Sequence, residues 1–274
     1  MKKMTLVPFG GLSNRIFAIT SAIGFCRDNG FRLKVVWFKD WGMGAGFHQL
    51  MEVLPTDVEI VDAQWTDYRF DRPRKRNLWM PAIYQYFAFD RRLYEKEMFG
   101  NMNYDSYGEM FRPFDAVYMN HCGLFYEYPG MFRELKPTKS IQAEINRLTE
   151  PFLSQRTVGI HIRRGDLAEY SEKKSPLSLF ISKMEDELKI DGRTKFFVAS
   201  DSTDEKKRLA ERFGDAVITS FKEVRRDTKE GIIDALIELY RLSATIKIYG
   251  THYSTYSQLS AKLSNIPLEV LLNE

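Results

Sequence analysis

Two adjacent arginines close an apolar run in Thr157-Val158-Gly159-Ile160-His161-Ile162-Arg163-Arg164-Gly165-Asp166. An apolar run of this length reads as a buried strand. In open α/β sheets, ligands bind beyond the carboxyl ends of such strands. The planar fork of arginine meets phosphate oxygens two at a time, so this strand end fits a phosphate-bearing ligand. A strand that simply ends in solvated charges, with an arginine paired to Asp166, fits the same residues. Side chains two apart on a strand share a face. His161 and Arg163 therefore lie together and Arg164 points the other way, so one arginine can address a ligand while the other meets the fold's own acids. His161 fits a hydrogen-bonded core histidine as well as a ligand contact.

Three further groups of polar residues fall at expected strand ends. Gly10-Gly11-Leu12-Ser13-Asn14-Arg15 is a glycine turn leading into a helix, which offers backbone N–H groups and the positive end of the helix dipole to an anion. It lacks the Gly-Lys-Ser/Thr ending of a P-loop, and Gly-Gly turns are common. Phe196-Phe197-Val198-Ala199-Ser200-Asp201 is again a strand running into a polar turn, where Ser200 or Asp201 would also serve as a helix cap. Tyr249 to Ser257 holds Thr251, Ser254, Thr255 and Ser257. Small hydroxyls before a helix bind phosphate oxygens or cap the helix, and one of them is expected to cap. Three such strand ends in the second half, with arginines in the first of them, describe a pyrophosphate site. Nothing resembles a paired Asp-x-Asp metal cluster, so arginines and helix dipoles would stabilise a leaving diphosphate without a metal.

The elements that must position these residues alternate. Thr5 to Phe9 reads as a strand and Asn14 to Asn29 as a helix, with Ile16, Ile19, Ile23 and Phe25 or Cys26 on its buried stripe and Gly30 closing it. Leu33 to Phe38 and Val58 to Val61 read as strands, and Asp115 to Asn120 as another. Leu135-Lys136-Pro137 looks like a boundary, followed by an amphipathic helix from Thr138 to Phe152. A second series then runs strand 157–162, helix 177–188, strand 195–200, helix 203–213, strand 216–219, helix 229–242, strand 245–249 and helix 255–263. This is the βαβ pattern of parallel sheets. It predicts two lobes, 1–135 and 136–274, with a cleft between them. Residues 64 to 115 show no sustained period but crowd Trp65, Tyr68, Phe70, Trp79, Tyr84, Tyr86, Phe87 and Phe89. That stretch fits a sugar-acceptor surface, because aromatic faces pack on pyranose rings; it also fits a core patch under a loop.

Composition narrows the class. The 274 residues carry a formal net charge of +3, too little for a nucleic-acid binder that works through a general basic field. The dense basic run Arg72-Pro73-Arg74-Lys75-Arg76 reads as a solvated loop, with a peripheral membrane or acceptor contact as the alternative. Two cysteines, Cys26 and Cys122, make neither a disulfide framework nor a metal spacing. Cys26 sits on an apolar helical face as a core thiol. The apolar stretch Leu6 to Phe9 is too short for a signal peptide and no segment approaches a membrane span, so a cytoplasmic protein is expected.

These same residues carry a family likeness. The Gly10 to Arg15 segment resembles the Gly-Gly-Leu-Gly-Asn-Gln opening of bacterial α-1,2-fucosyltransferases. His161-Ile162-Arg163-Arg164-Gly165-Asp166 is similar to the His-x-Arg-Arg-x-Asp motif of the α-1,2-, α-1,6- and protein O-fucosyltransferases. Phe197 to Asp201 is similar to the later strand motif of that superfamily, and Gly231-Ile232-Ile233-Asp234 through Ser254-Thr255-Tyr256-Ser257 resembles its last motif. The resemblance implies an α/β GT-B architecture of two Rossmann-like lobes, the second binding GDP-fucose and the first the glycan acceptor, in an inverting, metal-independent transfer that needs no cofactor beyond the donor. By position it implies that Arg163 holds the β-phosphate, that Arg164 supports the loop or the diphosphate, that Asp166 belongs to the substrate-binding residues, and that His161 and Asp234 read guanine. It likewise implies phosphate contacts from Thr255 and Ser257, with Ser200, Asp201 and Ser254 lining the donor site. From the first lobe, Gly11, Asn14 and Arg15 would close over the donor. Asp234 also fits a plain surface carboxylate near Arg241.

The departures concern the base. Ser13-Asn14-Arg15 replaces Gly-Asn-Gln, and neither Glu169 nor Glu172 falls at the spacing of the glutamate that follows the arginine motif in the α-1,6 branch. Glu172 is favoured here over Glu169 or Asp166 as the group that takes the acceptor proton; both glutamates also fit solvated loop charges. Two rival functions stay open: a transferase using another nucleotide sugar, and a binding protein that kept the site without catalysis.

Overall fold

The computed structural model describes residues 1–64, 80–98, 104–165 and 168–273. Trp65, Tyr68, Phe70, Trp79, the Arg72 to Arg76 run and Asp166 lie outside the described residues. Contacts divide the chain into two compact units. One is Met1–Thr138 with Arg226–Ile232; the other is Lys139–Arg225 with Ile233–Glu274.

The first unit contains β1 (Lys2–Pro8), β2 (Phe31–Trp37), β3 (Met51–Val53), β4 (Glu59–Asp62), β5 (Arg91–Leu93), β6 (Ala116–His121) and β7 (Leu135–Pro137). Five of them form a sheet in the order β4-β2-β1-β6-β5, all parallel. A strand buried on both faces needs a continuous apolar run, and central β1 supplies one: Met4, Leu6 and Val7 are fully buried. The helix Leu12–Asn29 follows β1 and stops at Gly30. The expected stripe understates its burial. Phe17, Ala18, Thr20, Ser21 and Ala22 are buried along with Ile16, Ile19 and Ile23, so the helix is enclosed on all sides.

The expected boundary at Leu135-Lys136-Pro137 is a strand that pairs antiparallel with β3. A later stretch also returns to this unit: the Gly44 N–H donates to the Arg226 carbonyl at 2.8 Å. Gly44 must be glycine, because a Cβ there would sit 2.3 Å from the Asp227 carbonyl carbon. The described residues of the aperiodic region form short pieces, among them the helix Ala82–Ala88. That helix is inverted. Its inward residue is Gln85, fully buried, while Ile83 and Phe87 are 71% and 81% exposed.

The second unit contains β8 (Thr157–Ile162), β9 (Lys195–Ser200), β10 (Val217–Ile218), β11 (Ile248–Thr251) and β12 (Leu268–Leu271). They too form a parallel sheet, in the order β10-β9-β8-β11-β12. Alternation splits its core in two. Val158, Ile160, Ile162, Phe196 and Val198 pack with Phe180 and Met184 on one face. Phe197, Ala199 and Ile248 pack with Phe152 and Leu242 on the other. β11 begins three residues after its expected start, because Thr245 closes the preceding helix Lys229–Ser243 instead: its hydroxyl donates to the Leu242 carbonyl at 2.7 Å. β12 and the helix Ala168–Lys174 were not anticipated. Glu169 and Glu172, expected in a loop, stand on that helix.

In each sheet the chain builds outward on one side and then crosses to the other. The reversal lies between β1 and β6 in the first unit and between β8 and β11 in the second. A crevice at the carboxyl ends of such a pair is where open α/β sheets bind ligands.

Candidate active site

At the β8/β11 switch point, side chains lace three strand ends together. The Arg163 N–H donates to Thr251 Oγ1 at 3.0 Å, and the Thr251 hydroxyl donates to the His161 carbonyl at 3.1 Å. The Arg164 N–H donates to Asp201 Oδ1 at 2.7 Å. Both arginines therefore leave a fixed backbone, and they diverge as the strand period predicts. Arg164 turns inward: its Nε donates to Glu205 Oε1 at 2.8 Å and its Nη1 to Ser171 Oγ at 3.3 Å, with the residue 6% exposed. Arg163 stays half-buried at the strand end, with Nη1 donating to the Tyr253 carbonyl at 3.3 Å. Thr251 carries none of the phosphate chemistry its hydroxyl allowed; it is the knot between the two strands.

His161 is buried and stacked on Tyr256, ring centroids 4.9 Å apart and planes 27° off parallel. Its Nδ1 lies 3.3 Å from Ser254 Oγ. Burial, and then the positive charge of Arg163, push its pKa down to about 3. The imidazole is thus neutral near pH 7, with one nitrogen to donate and one to accept.

Ser254 occupies the N-cap of the helix Thr255–Ser264 but makes no side-chain cap bond; its hydroxyl meets His161 instead. Thr255 is half-buried at the first helical position. Ser257 departs from expectation. It is fully buried, its hydroxyl donates to the Ser254 carbonyl at 3.2 Å, and a Cβ at Gly250 would lie 2.8 Å from its oxygen. That hydroxyl is packed against β11 and does not face a phosphate. Ser200 and Asp201 also serve the backbone: Ser200 Oγ accepts from the Ser202 N–H at 3.0 Å, and the helix cap falls one residue later than expected, on Ser202, whose side chain accepts from the Glu205 N–H.

Asp234 is half-exposed on the Lys229–Ser243 helix, 3.3 Å from Lys222 Nζ. Arg241, expected near it, lies instead over the Phe197 ring at 4.2 Å. Glu169 and Glu172 are exposed. Among the described residues, no group of three or more His, Cys, Asp or Glu is placed to hold a metal ion, and both cysteines are free.

At the β1/β6 switch point, Gly11 is the N-cap of the helix Leu12–Asn29. The Asn14 carbonyl accepts from the Gly123 N–H at 3.0 Å, which ties the turn after β1 to the residues following β6. Arg15 does not take the role expected of it. It is fully buried; Nε donates to the Gly10 carbonyl at 2.9 Å, Nη1 to the Phe38 carbonyl at 2.6 Å and Nη2 to Asp40 Oδ2 at 3.0 Å, and the guanidinium lies 4.8 Å from the Trp37 ring centroid. Such a guanidinium braces the end of β2 against the glycine turn and cannot also close over a donor. Asn120 and His121, buried at the end of β6, went unnoticed in the sequence, although two polar residues ending an apolar strand were a signal. Burial pushes the His121 pKa down to about 3. Tyr256, Glu205 and Lys222 were missed too, because each acts through a partner distant in sequence.

Two Rossmann-like units, each a five-stranded parallel sheet with polar strand ends at its switch point, place the chain in the GT-B fold class. Solved structures share the fold. It is similar to NodZ α-1,6-fucosyltransferase soaked with GDP-fucose, with a TM-score of 0.69 at 17% identity over 96% of this chain and 93% of that one; another structure of fucosyltransferase NodZ from Bradyrhizobium gives 0.66. POFUT1 in complex with GDP gives 0.60 at 11% identity over 98% of both chains. A mutant of Arabidopsis thaliana FUT1 in complex with GDP gives 0.62 at 15% identity over 97% of this chain and 70% of that one. No protein-family model and no curated protein matches the sequence. At such identities the likeness defines the fold.

Proposed function

We propose that this protein moves fucose from GDP-fucose to a hydroxyl of a glycan, with inversion and without a metal. The observation that carries the reading is Arg163: a half-buried arginine on a laced backbone at a switch point, one residue pair along from a neutral histidine. In this reading Arg163 meets the β-phosphate, Thr255 adds a hydroxyl, and His161 with Asp234 reads guanine, the Asp234 carboxylate accepting from N1–H and the amino group. Arg164 holds the loop. As the bond from C1 of fucose to the diphosphate oxygen breaks, negative charge grows on GDP and Arg163 offsets it. The acceptor oxygen forms the new bond to C1, and its proton passes to a carboxylate, for which Glu172 is the candidate. Four structures of the same fold, described as GDP or GDP-fucose complexes of fucosyltransferases, support the choice of donor.

Titration calorimetry with GDP, UDP and ADP tests the donor, with GDP expected to bind tightest; binding of UDP alone sinks the guanine assignment. Slow release of fucose from GDP-fucose in the absence of acceptor is expected of the enzyme. GDP-fucose binding with no turnover across an acceptor panel identifies a binding protein instead.

A further inference from the structure

The residues proposed to read the base stand on different elements, His161 on β8 and Asp234 on the helix Lys229–Ser243. One planar base can meet both only if their separation and tilt are held closely, within about 0.5 Å and 10–20° for a working site. A single side chain touches the supports of both. Tyr256 stacks on the His161 ring at 4.9 Å, and its hydroxyl donates at 2.5 Å to the carbonyl of Ala235, the residue after Asp234. That carbonyl lies inside a helix, where an i+4 N–H already supplies its regular partner. The phenol bond is therefore not needed to satisfy the backbone; it ties one helix to another. Two residues earlier, Ser254 meets His161 Nδ1. One turn of chain thus sets the imidazole from its edge and its face and pins the helix that bears Asp234.

Resting on the guanine reading above, we infer that Tyr256 is a positioning residue that fixes His161 and Asp234 relative to each other and so sets the preference for guanine. The inference concerns selectivity, so the test is a ratio. Inosine diphosphate differs from GDP only in lacking the amino group that Asp234 would accept from. Wild-type protein is expected to prefer GDP, and Asp234→Asn to lose that preference. Tyr256→Phe keeps the ring on His161 but removes the tie to Ala235. It is expected to raise the GDP-to-inosine-diphosphate ratio of Kd values about tenfold, through weaker GDP binding, while binding of inosine diphosphate changes little. Tyr256→Leu removes the stack as well and is expected to weaken both ligands; should it fail to fold, the Phe variant decides. A Tyr256→Phe protein that melts lower yet keeps the wild-type ratio overturns the inference, since a merely structural tyrosine would do that. Wild-type protein that binds GDP no better than inosine diphosphate defeats the guanine assignment itself, and this inference with it.

Discussion

The two switch points handle the same side chain in opposite ways. After β1, Arg15 is drawn fully into the first unit and matched by Asp40, whose side chain is 9% exposed. After β8 there are two arginines: Arg164 takes the buried carboxylate of Glu205, and Arg163 remains half-buried at the strand end on a backbone carbonyl. An arginine at a strand end is thus not by itself an anion site. A carboxylate buried within the same unit converts it into a brace, and a second arginine is required before one is left at the rim. The comparison also separates structural from chemical charge, because the brace and the rim residue are adjacent in sequence.

The largest effect is expected from breaking a brace. Glu205→Ala leaves Arg164 buried without its carboxylate, which costs about 3–5 kcal/mol; chemical denaturation measures it, and a wild-type midpoint would show that Arg164 is not held as described. Arg163→Ala sharpens the contrast from the other side. The fucose transfer proposed above is expected to fall about 100- to 1,000-fold, the scale for removing one donor aimed at developing charge, with the melting temperature close to wild type; full activity refutes the site assignment. The smallest effect is electrostatic. His161 and His121 each have a pKa lowered from 6.5 to about 3, chiefly by burial. The unfolded chain therefore binds more protons than the folded one between those values, so their contribution to stability is complete above about pH 6.5 and is lost as pH falls toward 3. His161→Gln is expected to remove about one proton from the uptake on unfolding near pH 5. An unchanged acid limb would mean that the imidazole is not buried neutral.

Where sequence and structure agree, local physics was sufficient. β8, β9 and the helix Thr203–Phe213 have the expected bounds because each combines a clear period with a clear stop. The divergence of Arg163 and Arg164 also followed from strand geometry alone. Other features depend on partners far along the chain. Nothing around Arg15 distinguishes a donor contact from a brace until Asp40 and the Phe38 carbonyl are placed beside it. The hydroxyls of Thr251 and Ser257 suited phosphate by type, yet packing between β8, β11 and the following helix claimed both. The Ala82–Ala88 helix was invisible for a different reason: pattern reading assumes that apolar residues face inward, and here Gln85 does, donating to the Met80 carbonyl and accepting from the Tyr94 hydroxyl.

The return of Arg226–Ile232 to the first unit bears on the order of synthesis. A ribosome finishes Thr138 roughly 90 residues before it reaches Arg226, an interval of about 5–20 s at ordinary elongation rates. Throughout it the nascent first unit lacks its last piece, and the backbone N–H of Gly44 has no Arg226 carbonyl to meet. The second unit's β8 and β9 emerge within that interval, so translation delivers strands of both sheets before either unit is complete.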